Sequence, residues 1–428
     1  MKIFCIGIGG IGLSGVAQIL KSQGHEVTGS DSSSSAITQS LIESGIRVFS
    51  GHAEGNLKPQ TDLVIYSEAV PESNPERMEA GRLGIRAINY AHALGMVTEG
   101  KQLVAITGTH GKTTITGILT CILLEAKTDP SIIIGSRINV LGDQNYRIGK
   151  SELFLAEACE YRDNFLTLTP NIMLINSLEP DHLDYFKTTE QYYASYQKLA
   201  DKIPESGALI VYESDIEHLD RSRIKCRITL LNAEEANAAQ FQLQVPGRHN
   251  QRNAFASRAV AKTLRVSDEV INAGLEKFHG TWRRFEYKGS INGAKVYDDY
   301  GHHPTEIRAT IQAAREWYLE QKLLVIFQPH QYSRTREFFD EFTTCFKGAD
   351  EVWITDIYKA RDTEEDIAST SAEKLTAAIN EHQPAHYFRT EDIHEKLKKS
   401  TDANTIVLVM GAGNINRIFE QLKFDVQP

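Results

Sequence analysis

The sequence predicts an α/β protein of more than one domain, built on parallel β-sheets with crossover helices. Strand-like apolar runs alternate with helix-like stretches along the chain, which is typical of parallel sheets. The 428 residues suffice for about two to four domains with substantial cores. Two of the strand-like runs lead into glycine-rich turns, at 7–12 and at 107–114.

The composition narrows the classes of partner. The net charge of −10 argues against a general nucleic-acid surface or a surface for anionic membranes, so we expect neither partner. The five cysteines are widely spread and include no Cys-x-x-Cys pair, which favours reduced thiols over disulfides or a zinc site. No apolar run approaches ~20 residues, and the chain enters a strand at once instead of opening with a signal-like segment. We therefore expect a soluble, cytoplasmic protein.

The first strand runs into the turn Gly7-x-Gly9-x-x-Gly12, and a helix follows. A second strand, 25–29, leads to Asp31, about 20 positions after the glycines. This is a dinucleotide-binding fingerprint, in which the acidic residue meets a ribose hydroxyl. The same turn would hold the pyrophosphate of any nucleoside diphosphate, or form a tight strand-to-helix turn with no ligand.

The second glycine-rich turn predicts a nucleoside triphosphate site. Residues 107–114 read Thr-Gly-Thr-His-Gly-Lys-Thr-Thr, between an apolar strand and a helix-like stretch over 115–124. The glycines let backbone N–H groups close around phosphates, Lys112 supplies a positive charge, and the Thr113 hydroxyl can bind Mg²⁺. One position departs from the general P-loop, because Ile106 stands where that motif has a glycine.

Two strand-like runs of the middle region end in acidic residues. The first ends at Glu157, and the second leads to His182. In a parallel sheet both runs would end at the edge that holds the P-loop, which puts Glu157 and His182 near Thr113. Mg²⁺ prefers oxygen ligands such as Glu157, whereas His182 could equally be a hydrogen-bonded loop residue. Solvated loop charges are the other interpretation of Glu160, Asp181 and Asp184.

The third region is again α/β, and its expected strands are 294–297, 323–327, 351–355 and 405–410. A polar cluster over 298–306 follows the first of these strands and precedes a helix over 307–318, and a second cluster over 328–336 follows the next strand. Strand-end loops rich in His, Arg and Asp belong on one rim of a sheet, where active-site walls form. We expect Thr305 to be the N-cap and Glu306 to face the helix dipole. Capping leaves the paired histidines and the arginines unexplained.

Five further motifs occur in order along the chain: Glu-Ala-x-Glu (157–160), Pro-Gly-Arg-His-Asn (246–250), Arg-Arg-Phe (283–285), Asp-Asp-Tyr-Gly-His-His-Pro-Thr-Glu (298–306) and Phe-Gln-Pro-His (327–330). Together with Gly-Thr-His-Gly-Lys-Thr-Thr (108–114), they resemble the motifs of the Mur ligases of peptidoglycan synthesis. The resemblance extends over nearly the whole chain, from Gly7 to Gly413.

This resemblance implies three α/β domains. Residues 1–97 would form a Rossmann-like domain that binds a UDP-substrate. Residues 98–278 would form a central, ATP-binding P-loop domain with a parallel-rich sheet, and residues 279–428 a Rossmann-like C-terminal domain that binds an amino acid.

Within the family the resemblance is to the alanine-adding branch. The implied reaction joins L-alanine to the lactyl carboxylate of UDP-N-acetylmuramate, with ATP and Mg²⁺ as the required cofactors. The carboxylate attacks the γ-phosphate to give an acyl phosphate, which the amine of alanine then attacks. Such an attack needs charge neutralisation and in-line positioning, which suit Lys112 and a metal ion. A monomer or weak homodimer is expected.

The resemblance also assigns roles by motif. The implied catalytic residues are Lys112, His302 and Arg334. The implied ATP ligands are Gly108, Thr109, His110, Gly111, Lys112, Thr113, Thr114, His249, Asn253 and Arg283, with Arg284 as the rival of Arg283. The implied UDP-substrate ligands are Gly9, Gly10, Ile11, Gly12, Asp31 and Ser67. The implied metal ligands are Thr113, Glu157 and His182. Alanine would be bound by Tyr300, His302 and Arg334, where the guanidinium suits a carboxylate and His302, or its rival His303, accepts the ammonium proton.

Three positions depart from the family pattern. Gln331 stands where many relatives have Arg, so the alanine carboxylate would rest on Arg334 alone or with Arg336. Cys159 stands where Asp is common, and we expect a small buried thiol with no metal role. Tyr196 stands near the place of a carbamylated lysine in other Mur ligases, with Lys198 two positions later, which argues against a carbamate here.

Three alternatives stay open from the sequence. A recycling ligase that adds a whole tripeptide would be expected to have Ala-His-His where this chain has Gly301-His302-His303. An NAD-dependent oxidoreductase is suggested only by Gly7–Gly12 with Asp31, and it leaves the P-loop unexplained. A nucleotide-gated binding module would keep Lys112 but has no need of the His302 and Arg334 rim.

Overall fold

A computed structural model describes residues 1–182, 185–360 and 362–425, so Asp184 lies outside the described residues. The chain forms two compact units. The first consists of residues 1–243 and 251–279, and the second of residues 244–250 and 280–428. Within the described ranges, no helix is both long enough and apolar enough to cross a bilayer.

The N-terminal part of the first unit is a five-stranded, fully parallel sheet of order β3-β2-β1-β4-β5. Its strands are β1 (Lys2–Ile6), β2 (Glu26–Asp31), β3 (Arg47–Ser50), β4 (Leu63–Tyr66) and β5 (Ala87–Asn89). Its helices are α1 (Ile11–Ser22), α2 (Ala36–Glu43), α3 (Pro75–Arg82) and α4 (Tyr90–Thr98). The predicted strand–glycine turn–helix–strand order from Gly7 to Asp31 is confirmed.

The rest of the first unit is built on a seven-stranded sheet of order β12-β11-β10-β6-β9-β7-β8, in which only β7 and β8 pair antiparallel. Its strands are β6 (Gln102–Thr107), β7 (Ser131–Ile138), β8 (Gln144–Arg147), β9 (Leu153–Glu157), β10 (Ile172–Ile175), β11 (Ala208–Tyr212) and β12 (Arg227–Leu231). Its helices are α5 (Lys112–Glu125), α6 (Thr189–Ala200), α7 (Glu213–Ile216), α8 (Ala233–Ala238), α9 (Arg248–Thr263) and α10 (Asp268–Glu276). The first three residues of α9 belong to the second unit.

Strand β6 positions the P-loop at the centre of this sheet. It lies between β9 and β10 and is parallel to both, with Ile106 level with Glu157 and Thr107 level with Ile175. The carboxyl ends of the three strands therefore meet at one edge, as the sequence predicted. Helix α5 begins at Lys112, three residues before the predicted start at Ile115.

The second unit is built on a six-stranded sheet of order β13-β14-β18-β15-β16-β17, in which only β13 is antiparallel to its neighbour. Its strands are β13 (Glu286–Ile291), β14 (Ala294–Asp299), β15 (Lys322–Phe327), β16 (Glu351–Ile354), β17 (Ala385–Tyr387) and β18 (Thr405–Met410). Its helices are α11 (Pro304–Trp317), α12 (Tyr332–Glu337), α13 (Phe339–Thr344), α14 (Glu364–Ser369), α15 (Ala372–Asn380), α16 (Ile393–Ser400) and α17 (Ile418–Gln421).

The strands predicted for the third region are confirmed to within two residues at each end. Because β14 and β15 both pair in parallel with β18, the loops that follow them share one edge of the sheet. The predicted N-cap is wrong, since α11 begins at Pro304 and His303 is its cap. Pro304 suits the first helical position, where its missing N–H and fixed φ cost nothing. The His303 ring accepts from the Thr305 amide, and Glu306 accepts from the His303 amide.

Candidate active site

The P-loop presents backbone amides at the start of α5. Gly108 and Gly111 have φ of +120° and +81°, which is the left-handed region that glycine tolerates. Lys112, Thr113 and Thr114 form the first turn of α5, where the amides have no acceptor within the helix. A helix N-terminus of this kind favours a bound phosphate.

The lysine of the P-loop is paired with a buried carboxylate. Lys112 Nζ lies 3.1 Å from both carboxylate oxygens of Glu160, whose side chain is completely buried. Lys112 also donates to the carbonyl oxygen of Gly108. Burial disfavours the charged ammonium, but Glu160 and Cys159 together outweigh burial, so the pKa of Lys112 lies above its usual value. The interpretation of Glu160 as a solvated loop charge is wrong, because its side chain has no exposed surface.

A hydroxyl and a carboxylate offer oxygen atoms beside the loop. Thr113 Oγ1 donates to Glu157 Oε2 at 3.0 Å, as the shared sheet edge predicts. His182 Nε2 lies 3.8 Å from Glu160 Oε1. In the described part of the chain, no cluster of three or more His, Cys, Asp or Glu side chains could hold a metal ion by itself. A metal bound with ATP does not need such a cluster, because Mg²⁺ takes phosphate and water oxygens beside one or two protein ligands. Thr113 and Glu157 fit that kind of site.

Asn253, predicted to lie near the adenine, contacts the P-loop wall. Its side-chain oxygen accepts from Asn176 Nδ2 at 3.2 Å, and Asn176 also donates to the carbonyl oxygen of His110. A side chain at Gly111 would come within 2.5 Å of the Asn253 oxygen. This close approach explains why position 111 is glycine. His249, its predicted partner, lies in the segment 244–250 of the second unit and is exposed.

The N-terminal glycine turn is closed by the acidic residue that the fingerprint requires. Gly9 donates its amide to Asp31 Oδ2 at 2.9 Å, at the carboxyl end of β2. Gly12 packs so closely on the ring of Tyr90 that a Cβ there would come within 2.7 Å. A Cβ on Gly7 would approach the Ser67 Cβ to 3.1 Å, so Ser67 borders the same turn. These close contacts leave no room for a side chain at Gly7, Gly9 or Gly12.

The second unit carries a rim of two histidines and an arginine. His302 Nδ1 lies 3.2 Å from the carbonyl oxygen of Tyr300, and because a carbonyl only accepts, Nδ1 carries the proton. The His302 ring lies 6.1 Å from the ring of His330, whose Nδ1 lies 3.2 Å from Arg334 Nη1. Burial lowers the pKa of His302, although Glu306 opposes the shift. His302 is therefore neutral at physiological pH, with Nε2 able to accept a proton.

His330 lies between two of the three predicted alanine ligands, His302 and Arg334, and was not assigned a role from the sequence. Its ring stacks on Tyr358 with centroids 5.4 Å apart and an interplanar angle of 16°. The following residue, Gln331, has φ of +71°, an uncommon value outside glycine. The Phe-Gln-Pro-His motif at the end of β15 was the signal that could have indicated His330.

The position of Arg283 does not fit its predicted role as an ATP ligand. Its side chain is buried, lies 3.1 Å from Asp298 Oδ2 and donates to the carbonyl oxygen of Gly411. Arg284 is half-buried, and its guanidinium carbon lies 5.3 Å from the centre of the Tyr300 ring. Of the two arginines, only Arg284 has exposed surface to offer a ligand.

Two further expectations concern the P-loop region. Cys159 was expected to be buried and is instead exposed, in the short segment between the end of β9 and Tyr161. Tyr196 is completely buried on α6, whereas Lys198 is exposed. The absence of a carbamate here stays a prediction.

Three mostly parallel sheets and a P-loop with a paired lysine define a nucleotide-binding α/β protein of several domains. Three family models match the chain in order: "Mur ligase family, catalytic domain" over residues 2–102, "Mur ligase middle domain" over 106–239 and "Mur ligase, glutamate ligase domain" over 283–413. The chain belongs to the Mur ligase family.

Relatives of similar length support this assignment. The chain is 40% identical to a UDP-N-acetylmuramate–L-alanine ligase of Clostridium tetani, with 97% of this chain and 96% of that protein covered. It is also 40% identical to the protein of that name from Acetivibrio thermocellus, with 99% and 95% covered. Among solved structures, the UDP-N-acetylmuramate–alanine ligase of Thermotoga maritima is 28% identical, with a TM-score of 0.83 and 98% of each chain covered. A murein peptide ligase of Psychrobacter arcticus shares the fold, with 23% identity, a TM-score of 0.72 and 99% and 98% covered.

Proposed function

We propose that this chain joins L-alanine to the lactyl carboxylate of UDP-N-acetylmuramate, with ATP hydrolysed to ADP and phosphate, in the synthesis of peptidoglycan precursors. The near full-length similarity to two ligases of that name supports it. The observation that carries it is the presence in one chain of a P-loop lysine paired with Glu160 and of the His302 imidazole, which lies beside His330 and through it beside Arg334.

The P-loop side serves the activation step. The lactyl carboxylate attacks the γ-phosphorus, the bond to the β,γ-bridging oxygen breaks, and an acyl phosphate and ADP form. Lys112 offsets the charge that develops on the transferred phosphoryl group, since little covalent help is needed in phosphoryl transfer. Thr113 and Glu157 would hold Mg²⁺, with His182 as a further candidate ligand. When bound, Mg²⁺ supplies positive charge to the phosphate oxygens.

The rim of the second unit serves the amide-forming step. The amine of alanine must be neutral to attack, so a base has to take a proton from the ammonium. His302 Nε2 is that base in our proposal, because Nδ1 is already committed to the Tyr300 carbonyl. Arg334 holds the alanine carboxylate, and His330 fixes the Arg334 side chain. Arg336 is less suited, since it is paired with Asp366 at 2.9 Å.

The remaining site residues stay proposals. His249 and Asn253 would flank the adenine, and Gly108, Thr109, His110, Gly111 and Thr114 would surround the phosphates. Arg284 replaces Arg283 as the arginine that reaches phosphate. Gly9, Gly10, Ile11, Gly12, Asp31 and Ser67 would bind the UDP part of the substrate. We also propose the domain boundaries 1–97, 98–278 and 279–428, a cytoplasmic location, where ATP is supplied, and a monomer or weak homodimer.

Phosphate release tests this proposal. ATP, Mg²⁺ and UDP-N-acetylmuramate are supplied with L-alanine, glycine, L-serine or the tripeptide L-Ala-γ-D-Glu-diaminopimelate as the acceptor. We expect release that needs both the sugar nucleotide and L-alanine. Turnover with the tripeptide alone would move the protein to the recycling branch, and no turnover with any acceptor would contradict a ligase activity.

A further inference from the structure

A chain of buried hydroxyl groups lies behind the P-loop. Tyr192 and Tyr196 are one turn apart on α6, and both are completely buried. The Tyr192 hydroxyl lies 2.9 Å from Thr109 Oγ1 and 3.2 Å from the Tyr196 hydroxyl. Thr109 Oγ1 in turn lies 2.5 Å from the carbonyl oxygen of Glu179. The chain thus connects the middle of α6 to the second residue of the P-loop turn.

The carbonyl group fixes the direction of these hydrogen bonds. A carbonyl oxygen only accepts, so the Thr109 hydroxyl donates to Glu179. Thr109 Oγ1 then accepts from Tyr192, and the Tyr192 oxygen accepts from Tyr196. Burial raises the pKa of both tyrosines, so both keep the protons that this direction requires. Tyr192 therefore donates the hydrogen bond that the Thr109 hydroxyl oxygen accepts.

Thr109 also lies among the groups that surround the Lys112 ammonium. Lys112 Nζ donates to the carbonyl oxygen of Gly108 and lies 3.4 Å from that of Thr109. The Thr109 amide donates to the Ser177 carbonyl oxygen at 3.0 Å. The side chain, amide and carbonyl of Thr109 are thus each engaged, and a shift of Thr109 would move the carbonyl groups that hold the ammonium.

We propose that Tyr192 is a positioning residue for the ATP phosphates, because its hydroxyl fixes Thr109 and thereby the carbonyl groups that orient Lys112. The inference rests on the proposed function in that ATP is the substrate. Tyr192 itself contacts no reacting atom in this proposal. Tyr193, the next residue on α6, offers a matched comparison, since it is half-buried and its ring stacks on His218 at 4.2 Å instead of facing the loop.

The first test replaces single hydroxyl groups. Tyr192→Phe is expected to raise KM for ATP and the Kd of a fluorescent ATP analogue by roughly 3- to 10-fold, the size of one lost buried hydrogen bond. KM for L-alanine should not change. Tyr196→Phe keeps the Tyr192–Thr109 bond and should have a smaller effect, and Tyr193→Phe should have none. Unchanged ATP affinity in Tyr192→Phe would overturn the proposal.

A double-mutant cycle separates positioning from general packing. Thr109→Val removes the other partner of the same hydrogen bond, so adding Tyr192→Phe to it should weaken ATP binding little further. Additive losses would overturn the proposal, and Thr109→Val supplies the test if Tyr192→Phe does not fold. The nucleotide titration needs no acceptor. A failure of this inference is therefore distinguishable from a failure of the proposed ligase activity, which would appear as absent turnover in the unsubstituted protein.

Discussion

Lys112 Nζ lies 3.1 Å from each carboxylate oxygen of Glu160, and the Glu160 side chain is completely buried. The two charges compensate each other where neither could remain charged alone. Because Glu160 and Cys159 together outweigh the effect of burial, the pKa of Lys112 lies above its usual value and the lysine stays charged across the physiological pH range. Glu160 therefore keeps the Lys112 ammonium charged and fixed in position beside the phosphate-binding turn.

Glu160→Gln is expected to lower kcat/KM for ATP by roughly 10- to 100-fold, because it leaves a buried ammonium without its counter-charge. Glu152→Gln is the matched control, since Glu152 makes an exposed ion pair with Lys101 at 3.1 Å. Exposed pairs contribute little, so this variant should differ from the unsubstituted protein by less than about twofold. Phosphate release at varied ATP concentration measures both. Equal activity of the two variants would contradict the role of Glu160.

The pH dependence of alanine addition should show whether His302 acts as the base. Burial lowers the pKa of His302, and the base-competent neutral form is the one present above that pKa. We therefore expect kcat/KM for L-alanine to fall only on the acid side, below the ordinary imidazole pKa of about 6.5. His302→Asn should lower the rate by about 10²- to 10⁴-fold and remove this acid limb.

His303→Asn distinguishes the two candidate bases. Asparagine is a good N-cap, so it should preserve the start of α11 that the His303 ring now caps. We expect this variant to keep both the rate and the acid limb. If the acid limb disappears in His303→Asn and survives in His302→Asn, then His303 is the base.

Replacing Arg283 should lower stability, whereas replacing Arg284 should lower activity with ATP. Arg283→Ala leaves Asp298 buried without its partner, and we expect a loss of about 3–5 kcal/mol in the free energy of unfolding. Arg284→Ala should leave that free energy unchanged and lower kcat/KM for ATP, because its side chain is half-exposed. Denaturant unfolding and phosphate release measure the two effects. Normal stability of Arg283→Ala together with weakened ATP binding would restore Arg283 as an ATP ligand.

Arg334→Lys is expected to raise KM for L-alanine by roughly 10-fold, because an ammonium cannot replace the two-pronged contact of a guanidinium with a carboxylate. The control is Arg336→Lys on the same helix, where the arginine pairs with Asp366 and is half-exposed. That control should keep its KM. An equal rise in both variants would indicate that Arg336 shares the alanine carboxylate.

The sequence predicted those parts of the site that depend on local order along the chain. A strand, a glycine-rich turn and a helix specify the P-loop within eight residues. The rule that parallel strands end at one edge was enough to place Glu157 beside Thr113. In the structure, Thr113 Oγ1 lies 3.0 Å from Glu157 Oε2. The same rule placed the loops after β14 and β15 on one rim of the second sheet.

Other relationships depend on packing between distant segments, and no local pattern reports them. Tyr192 meets Thr109 across 83 positions of the chain. Glu160 was one of several acidic residues after a strand, and only the fold shows that its side chain turns inward to Lys112. Arg283 and Arg284 are neighbours in sequence. Only the packing of the folded chain shows that Arg283 is the one that pairs with Asp298.

Transfer of an oxygen atom tests the central claim most directly. UDP-N-acetylmuramate labelled with ¹⁸O in both oxygens of its lactyl carboxylate is turned over with ATP and L-alanine, and the released phosphate is analysed by mass spectrometry. If the carboxylate attacks the γ-phosphate and alanine then displaces phosphate, each phosphate released carries one ¹⁸O atom and the new amide keeps the other. Phosphate without label would contradict the acyl-phosphate route.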